Sequence, residues 1–174
     1  MYKDHLVRLC GELGIVVEDR RWKLGDGRAE MGSGKKGVGG RSTVRFVPSV
    51  PRDQLPPLYQ QADVFCFPTL CDTYGIALLE AMSCGCAALV SDVAGAGEIV
   101  NGENGLKVPL RDPEQYIREY AEKIVMLATN PELRARLGSS ARQFVLREHD
   151  WGRIGDQVLA VYRELAQGSA RTPT

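Results

Sequence analysis

Short apolar segments alternate with longer segments of helical periodicity after residue 43, and this alternation limits the possible folds more than any other feature. The apolar segments are three or four residues long, as strands of a buried sheet often are. They occupy residues 44–47, 64–67, 87–90 and 106–108. Helical patterns cover residues 53–62, 74–84, 113–128, 131–148 and 151–166, with a short helical turn at 97–100. The order predicts βαβ units and therefore an α/β fold, a parallel sheet with flanking helices.

The first 42 residues differ from the remainder in composition, so we treat them as a separate segment. Residues 3–13 have the apolar spacing of an amphipathic helix. Between residues 25 and 40, seven of sixteen residues are glycine, which predicts a flexible loop or an insertion. The expected organisation is an N-terminal helix with a glycine-rich loop in residues 1–42, followed by an α/β domain with C-terminal helices in residues 43–174.

Composition excludes several classes of protein. The chain has 22 Lys and Arg residues against 22 Asp and Glu residues, whereas a general nucleic-acid binder carries a basic excess. Its apolar runs are much shorter than the roughly 18 residues that a membrane span needs, and its N-terminus lacks the pattern of a signal peptide. We expect a cytoplasmic protein, or one at the surface of a membrane, with no nucleic-acid partner.

The five cysteines do not form a recognisable framework. Their number is odd, and their spacings fit neither a zinc site nor a disulfide pattern. A metal site formed by Cys71, Cys84 and Cys86 is disfavoured, because the chain has no CxxC pair and only two histidines. We therefore interpret the cysteines as reduced thiols that act as small apolar residues, and we expect no metal.

The segment from residue 67 to residue 91 contains the groups best suited to bind a ligand. A predicted strand is followed by a loop at residues 72–74, and Gly75 then allows a close backbone approach where a helix opens. The unpaired N–H groups of the first helical turn, together with the helix dipole, favour a phosphate. The carboxylate of Glu80 lies further along the same helix in an apolar run, so it needs a partner if it is buried.

The spacing between Asp72 and Glu80 argues against a glycosidase. Eight residues of continuous helix correspond to a rise of about 12 Å. The two carboxylates of a glycosidase lie roughly 5–5.5 Å or 6.5–9.5 Å apart. An extended ligand, held at both ends with a phosphate between them, fits the spacing better. The alternative roles are structural: Asp72 as the N-cap of the helix, and Glu80 as a surface carboxylate.

These motifs resemble the C-terminal domain of retaining glycosyltransferases of the GT-B fold, a group that includes glycogen synthases and bacterial lipid and polysaccharide glycosyltransferases. The family pattern ExFGxxxLEAMAxGxPVV corresponds here to DTYGIALLEAMSCGCAAL. Two flanking segments also match, in order and at the expected spacing: VRFVPSVPRDQLPPLYQQADVF before the motif and GAGEIVNGENGLKVPLRDPE after it. The resemblance covers residues 43 to about 165 and implies a Rossmann-like sheet.

The resemblance implies a role for each residue of the motif. Glu80 would hold the ribose hydroxyls of a nucleotide sugar, and Asp72 would face the hydroxyls of the donor sugar. The sugar and the distal phosphate would be held by the backbone of four residues: Thr73, Tyr74, Gly75 and Ile76. Gly95 and Glu98 match a later loop of the family. The donor would be a UDP-, GDP- or ADP-sugar, transferred with retention of configuration and without a metal or other cofactor.

The chain also departs from the family pattern. Asp72 replaces the usual glutamate and is one methylene shorter. The family's first strands, with a Gly-Arg and a Lys-Gly that bind the diphosphate, have no clear equivalent before residue 43, although an alternative alignment makes residues 22–27 the second strand. We also expect no counterpart of the family's acceptor-binding N-terminal domain among these 174 residues. We therefore expect a sugar, lipid or other acceptor to be bound outside this chain, and the isolated chain to be inactive.

Two other functions remain open. The first is a non-catalytic fragment or interaction module that keeps the half-fold without binding nucleotides, and the second is a related nucleotide-sugar epimerase or phosphorylase.

Trp151 is expected to pack the final helix. The same helix has an apolar stripe made of Ile154, Val158, Val161, Tyr162 and Leu165. Without a second domain, part of this stripe would be exposed and would favour self-association.

Overall fold

The computed structural model describes residues 16–18, 43–45 and 49–169. The chain forms two compact units, with the boundary between residues 55 and 56. In the first unit, strand β1 (Val16–Glu18) pairs in parallel with strand β2 (Thr43–Arg45), with Val17 opposite Val44. Strand β2 overlaps the strand predicted at residues 44–47, whereas β1 was not predicted. The helix predicted at residues 3–13, the glycine-rich loop and the alternative strand at residues 22–27 lie outside the described residues.

The second unit is built on a parallel sheet of three strands in the order β3–β4–β5. These strands are β3 at Val64–Phe67, β4 at Ala87–Asp92 and β5 at Gly105–Pro109. The register places Phe65 opposite Ala88, and Leu89 opposite Leu106. Strand β4 is central, and its first five residues are buried. The predicted α/β class, with a parallel sheet flanked by helices, is confirmed.

The helices of the described residues follow the predicted order. They are α1 at Leu55–Gln61, α2 at Ile76–Ser83, α3 at Ala94–Ile99, α4 at Pro113–Thr129, α5 at Pro131–Glu148 and α6 at Trp151–Ser169. A single 3₁₀ turn at Arg52–Gln54 precedes α1. The side chains of Asp112 and Asn130 cap α4 and α5, accepting hydrogen bonds from the backbone N–H groups of Gln115 at 3.0 Å and Leu133 at 2.9 Å.

The core lies on both faces of the sheet, because alternate residues of β4 point to opposite sides. Ala88 and Val90 pack with one group of buried residues, drawn mainly from α2, α3 and α5: Leu78, Met82, Ala96, Ile99, Val100, Ala141 and Val145. Ala87 and Leu89 pack with a second group on the other side: Val108, Tyr120, Leu127 and Leu137. Helices on both faces thus hold β4 rigidly, and the loops after β3 and β4 leave from a fixed sheet edge.

The structure corrects two expectations about burial. Strand β3 was predicted to be buried on both faces, but Cys66 is exposed and Val64 is only half-buried. The reason is that β3, among the described strands of this unit, pairs with β4 alone and so forms an edge. Trp151 was predicted to pack the final helix, but it is 83% exposed. Periodicity shows which face of a helix is apolar, and it does not show whether another element covers that face.

Candidate functional site

The site lies where β3 and β4 end, because the loops after these two strands meet there. We call residues 68–75 the Asp72 loop and residues 92–97 the Gly95 segment. The backbone N–H of Gly95 donates a hydrogen bond to the carbonyl oxygen of Asp72 at 3.3 Å. Carboxyl ends of neighbouring parallel strands are the usual ligand-binding edge of an α/β sheet. The two segments therefore meet at the place where a ligand is expected.

The carboxylate of Asp72 shapes its own loop. Its Oδ1 atom accepts a hydrogen bond from the backbone N–H of Tyr74 at 3.0 Å and a second, short one from that of Gly75. Gly75 has a φ of +76°, in the left-handed region that favours glycine, and α2 begins at the next residue. Asp72 therefore closes the turn that leads into α2, whose N-cap residue is Gly75, and both of these bonds use the same oxygen.

The first turn of α2 has side chains that are exposed to solvent. Ile76 is 60% exposed and Tyr74 is 50% exposed, whereas Gly75 is buried. The N–H groups of Ile76 and Ala77 belong to the first turn, where a helix offers no acceptor of its own. Since the Tyr74 and Gly75 N–H groups already bind Asp72, the donors left for an anion begin at Ile76, two residues after the predicted helix start at Tyr74.

Glu80 lies one turn further along α2, on the same face as Ile76. It is half-buried, and the hydroxyl of Tyr59 on α1 hydrogen-bonds to its side chain. Burial raises the pKa of Tyr59, and the charge of Glu80 raises it further. Glu80 thus has the polar partner that a carboxylate in an apolar run requires. Tyr59 was not predicted as a site residue, because it is 21 positions earlier in the chain than Glu80.

Two contacts position the site from more distant elements. The hydroxyl of Tyr74 and Nδ1 of His149 share a hydrogen bond of 3.2 Å, and His149 also packs against Phe144 with ring centroids 5.3 Å apart. Gly95 lies so close to the Asp72 loop that a Cβ atom would be 2.7 Å from the Thr73 carbonyl oxygen. His149 carried no motif in the sequence, so only its tertiary contacts reveal its position at the site.

The described residues contain no group of three or more His, Cys, Asp or Glu side chains that could hold a metal ion. None of the helices in those same residues is both long and apolar enough to cross a membrane. The site of the described chain therefore consists of a loop carboxylate, a glycine-started helix and a second carboxylate on that helix. Those features belong to the class of α/β domains that bind ligands at a sheet edge.

Comparison with known proteins identifies the family within that class. Residues 11–130 match the family model described as glycosyl transferases group 1. This chain belongs to the group 1 glycosyltransferases. The match starts well before residue 43, where sequence analysis placed the beginning of the resemblance, so the family likeness extends into the first unit.

Curated relatives are longer than this chain. An alpha-maltose-1-phosphate synthase of Mycolicibacterium smegmatis is 32% identical over 120 residues, which are 67% of this chain and 31% of that protein. A D-inositol 3-phosphate glycosyltransferase of Saccharomonospora viridis is 35% identical over 121 residues, 69% of this chain and 27% of that protein. The aligned part of the chain spans about a third or less of the relatives' length.

Solved structures share the fold. A sucrose-phosphate synthase from Thermosynechococcus elongatus is 27% identical with a TM-score of 0.61, covering 72% of this chain and 31% of that one. The C-terminal domain of a group 1 family glycosyl transferase from Francisella tularensis is 22% identical (TM-score 0.54; 64% and 55% covered). The Anabaena protein HepE, crystallised with UDP, is 20% identical (TM-score 0.55; 71% and 32% covered). The expected likeness to a C-terminal GT-B domain is thereby confirmed.

Proposed function

We propose that this chain is the donor-binding part of a retaining glycosyltransferase, and that the Asp72 loop and α2 bind a nucleotide-diphosphate sugar. The observation that carries the proposal is the placement of two carboxylates, Asp72 and Glu80, around the open first turn of a helix at the ligand-binding edge of the sheet. Membership of the group 1 family supports it. The UDP complex of the Anabaena relative makes UDP-sugars the first donors to test.

The distal phosphate is assigned to the first turn of α2. There the N–H groups of Ile76 and Ala77 have no intrahelical acceptor, and the helix dipole favours negative charge. The charge of Asp72 beside them opposes a phosphate, but its Oδ1 is already engaged by two backbone donors. Its Oδ2 atom is left for a hydroxyl of the donor sugar. The backbone of Thr73 and Tyr74 forms the adjoining wall.

Glu80 is assigned to the ribose. A carboxylate accepts hydrogen bonds from two neighbouring hydroxyls, which is the arrangement that a ribose ring presents. The Tyr59 hydroxyl holds the carboxylate in place before the ligand arrives, so less side-chain freedom is lost on binding. Burial of part of Glu80 also strengthens these hydrogen bonds relative to those of a fully hydrated carboxylate.

Transfer to an acceptor is proposed to need groups beyond those of this chain. The matched residues correspond to about a third of the curated relatives, so the acceptor site is proposed to lie outside this chain. When the bond between the sugar and the diphosphate breaks and the sugar is transferred to the acceptor, the N-terminal dipole of α2 stabilises the charge that develops on the leaving nucleoside diphosphate. The isolated chain is expected to bind the donor and not to transfer its sugar.

The division of the chain into an N-terminal segment of residues 1–42 and a domain of residues 43–174 stays a prediction.

A titration followed by ¹H–¹⁵N NMR tests the proposal. Unlabelled UDP-glucose, GDP-mannose and ADP-glucose are added separately to labelled chain. We expect binding with a Kd on the order of 0.1–10 mM, and shifts clustered at residues 73–80 for one of the three. A folded chain whose spectrum changes with none of them contradicts the proposal. Shifts confined to another surface would contradict the assignment of the site.

A second function, an interaction module, is favoured by one observation. Helix α6 has a long apolar face that the rest of the described chain leaves open. Its members are all at least 48% exposed apart from Ile154, which is half-buried: Trp151, Ile154, Val158, Val161, Tyr162 and Leu165. Exposed aromatic and aliphatic stripes of this kind mark protein contacts. Sedimentation from about 10 µM to 1 mM tests self-association, with Val161→Glu as the variant expected to abolish it.

A further inference from the structure

One lysine joins the two ends of the Gly95 segment. Lys107 lies on β5 opposite Val90 of β4, close to the edge of the sheet that carries the site. Its ammonium nitrogen is 2.9 Å from Oδ1 of Asp92, the last residue of β4. The same nitrogen donates a hydrogen bond to the carbonyl oxygen of Gly97 at 3.0 Å. A single cation thus holds both the start and the end of residues 92–97.

The segment between these two ends is tightly folded and strained. Ala94 has a φ of +39°, in the left-handed region that a side chain disfavours. A Cβ atom on Gly97 would lie 2.7 Å from Oδ1 of Asp92, so the backbone and the carboxylate are in close contact. Such a conformation persists only where its surroundings enforce it. The contacts of Lys107 with Asp92 and Gly97 are the charged contacts that hold it.

The strained segment reaches the candidate site directly. A Cβ atom on Gly95 would be 2.7 Å from the carbonyl oxygen of Thr73 and 2.8 Å from Cα of Tyr74. The Gly95 N–H also donates to the Asp72 carbonyl oxygen. Any shift of the segment must therefore move the Asp72 loop or open a gap beside it.

We propose that Lys107, through its ion pair with Asp92, is a positioning residue that sets the Asp72 loop for the donor sugar. The consequence for the sugar rests on the proposed function, whereas the positioning of the loop does not. Each charge of the pair neutralises the other, so Lys107 acts on the loop and not as a free cation for a phosphate. The two side chains are 32% and 39% exposed, which makes the pair's contribution to global stability small.

The first experiment compares ¹H–¹⁵N spectra of the chain without ligand. Lys107→Met removes the ammonium and keeps the apolar stem, Lys107→Arg keeps the charge, and Lys123→Met on α4 is the matched control. We expect Lys107→Met to shift the amide resonances of Thr73, Tyr74 and Gly95. With Lys107→Arg, the same resonances should lie close to their wild-type positions. Unchanged amides at these positions would overturn the proposal. So would a spectrum that changes throughout, together with a large loss of thermal stability.

The second experiment separates positioning from a general effect on binding. For the nucleotide sugar that the wild-type chain binds, Lys107→Met should weaken affinity by about fivefold or more, while the affinity for the bare nucleoside stays within about twofold. Under the proposed function the nucleoside is held at Glu80 and makes no contact with the Asp72 loop, so equal losses for both ligands would overturn the proposal. If the wild-type chain binds no nucleotide at all, the proposed function fails, and the ligand-free spectra still decide whether Lys107 positions the loop.

Discussion

The hydroxyl of Tyr74 lies 3.2 Å from Nδ1 of His149, and this hydrogen bond connects the Asp72 loop to the C-terminal end of α5. The two residues are 75 positions apart in the chain. Their rings also meet edge to face, with centroids 6.2 Å apart. The end of α5, which is much later in the chain, therefore holds the Asp72 loop through Tyr74.

Removing that hydroxyl should loosen the loop without unfolding the domain. We expect Tyr74→Phe to lower the free energy of unfolding by about 0.5–1 kcal/mol, since the ring contact remains and one hydrogen bond is lost. Urea denaturation measures the change, and Tyr162→Phe, an exposed tyrosine on α6, is the control. Equal effects of the two substitutions would show that the Tyr74 hydrogen bond contributes nothing.

Glycine is required at position 95. We expect Gly95→Ala to cost about 1–3 kcal/mol, because the new Cβ meets backbone atoms of Thr73 and Tyr74, which cannot move aside as a flexible side chain would. Gly102→Ala is the matched control, since a Cβ there meets no atom within 4 Å. Thermal unfolding of both variants decides. A Gly95→Ala variant as stable as the control would contradict the close packing of the two segments.

The strain at Ala94 should be relieved by glycine. The left-handed conformation costs a side-chain residue about 1–2 kcal/mol, and glycine costs about 0.5–1 kcal/mol in chain entropy, so Ala94→Gly should stabilise the fold slightly or leave it unchanged. Ala96→Gly, at a buried helical position with ordinary φ, should destabilise it. Chemical denaturation compares the two. If Ala94→Gly destabilises as much as Ala96→Gly, the backbone at residue 94 is not strained.

Alkaline pH should destabilise the fold partly through Cys86. Burial raises the pKa of this thiol from 9.0 to about 11, and its Sγ donates to the carbonyl oxygen of Tyr59 at 3.0 Å. The neutral thiol is therefore favoured in the native state. Its contribution is complete below about pH 9 and is lost as the pH rises toward 11, because the unfolded chain releases the proton first.

The measurement is the free energy of unfolding at pH 8, 9.5 and 10.5 for wild type and Cys86→Ala. The variant loses some packing at every pH, but its decline between pH 9 and pH 11 should be shallower than that of wild type. Tyr59, whose pKa is also raised by burial, adds a decline above pH 10 in both proteins. If the free energy of unfolding declines equally with pH in the two proteins, the pKa of Cys86 does not differ between the folded and the unfolded chain.

Local sequence signals were sufficient for much of the fold. Helix α5 was predicted over residues 131–148 and is found there, because Asn130 and Pro131 mark its start unambiguously. Strand β4 was recognised from its run of apolar residues. Strand β1 was missed, since three residues are too few to show a periodicity. The exposure of Trp151 was missed because it depends on what covers α6.

Much less of the site could be predicted. The motif placed Asp72, Gly75 and Glu80 on one loop and helix, because these residues are close in sequence. It left the role of the Asp72 carboxylate open, and only the structure reveals its bonds to the Tyr74 and Gly75 N–H groups. Long-range contacts, such as that of Lys107 with Asp92, depend on how the sheet brings distant segments together.

Glu80 and the first turn of α2 are the groups that we propose to bind the donor. The most direct test measures the affinity of the preferred nucleotide sugar for wild type, Glu80→Gln and the control Glu122→Gln on the exposed side of α4. We expect Glu80→Gln to weaken binding by about tenfold or more, since hydrogen bonds to a charged group contribute about 1.5–3 kcal/mol each, and Glu122→Gln to have no effect. Equal affinities for all three folded proteins would contradict this proposal.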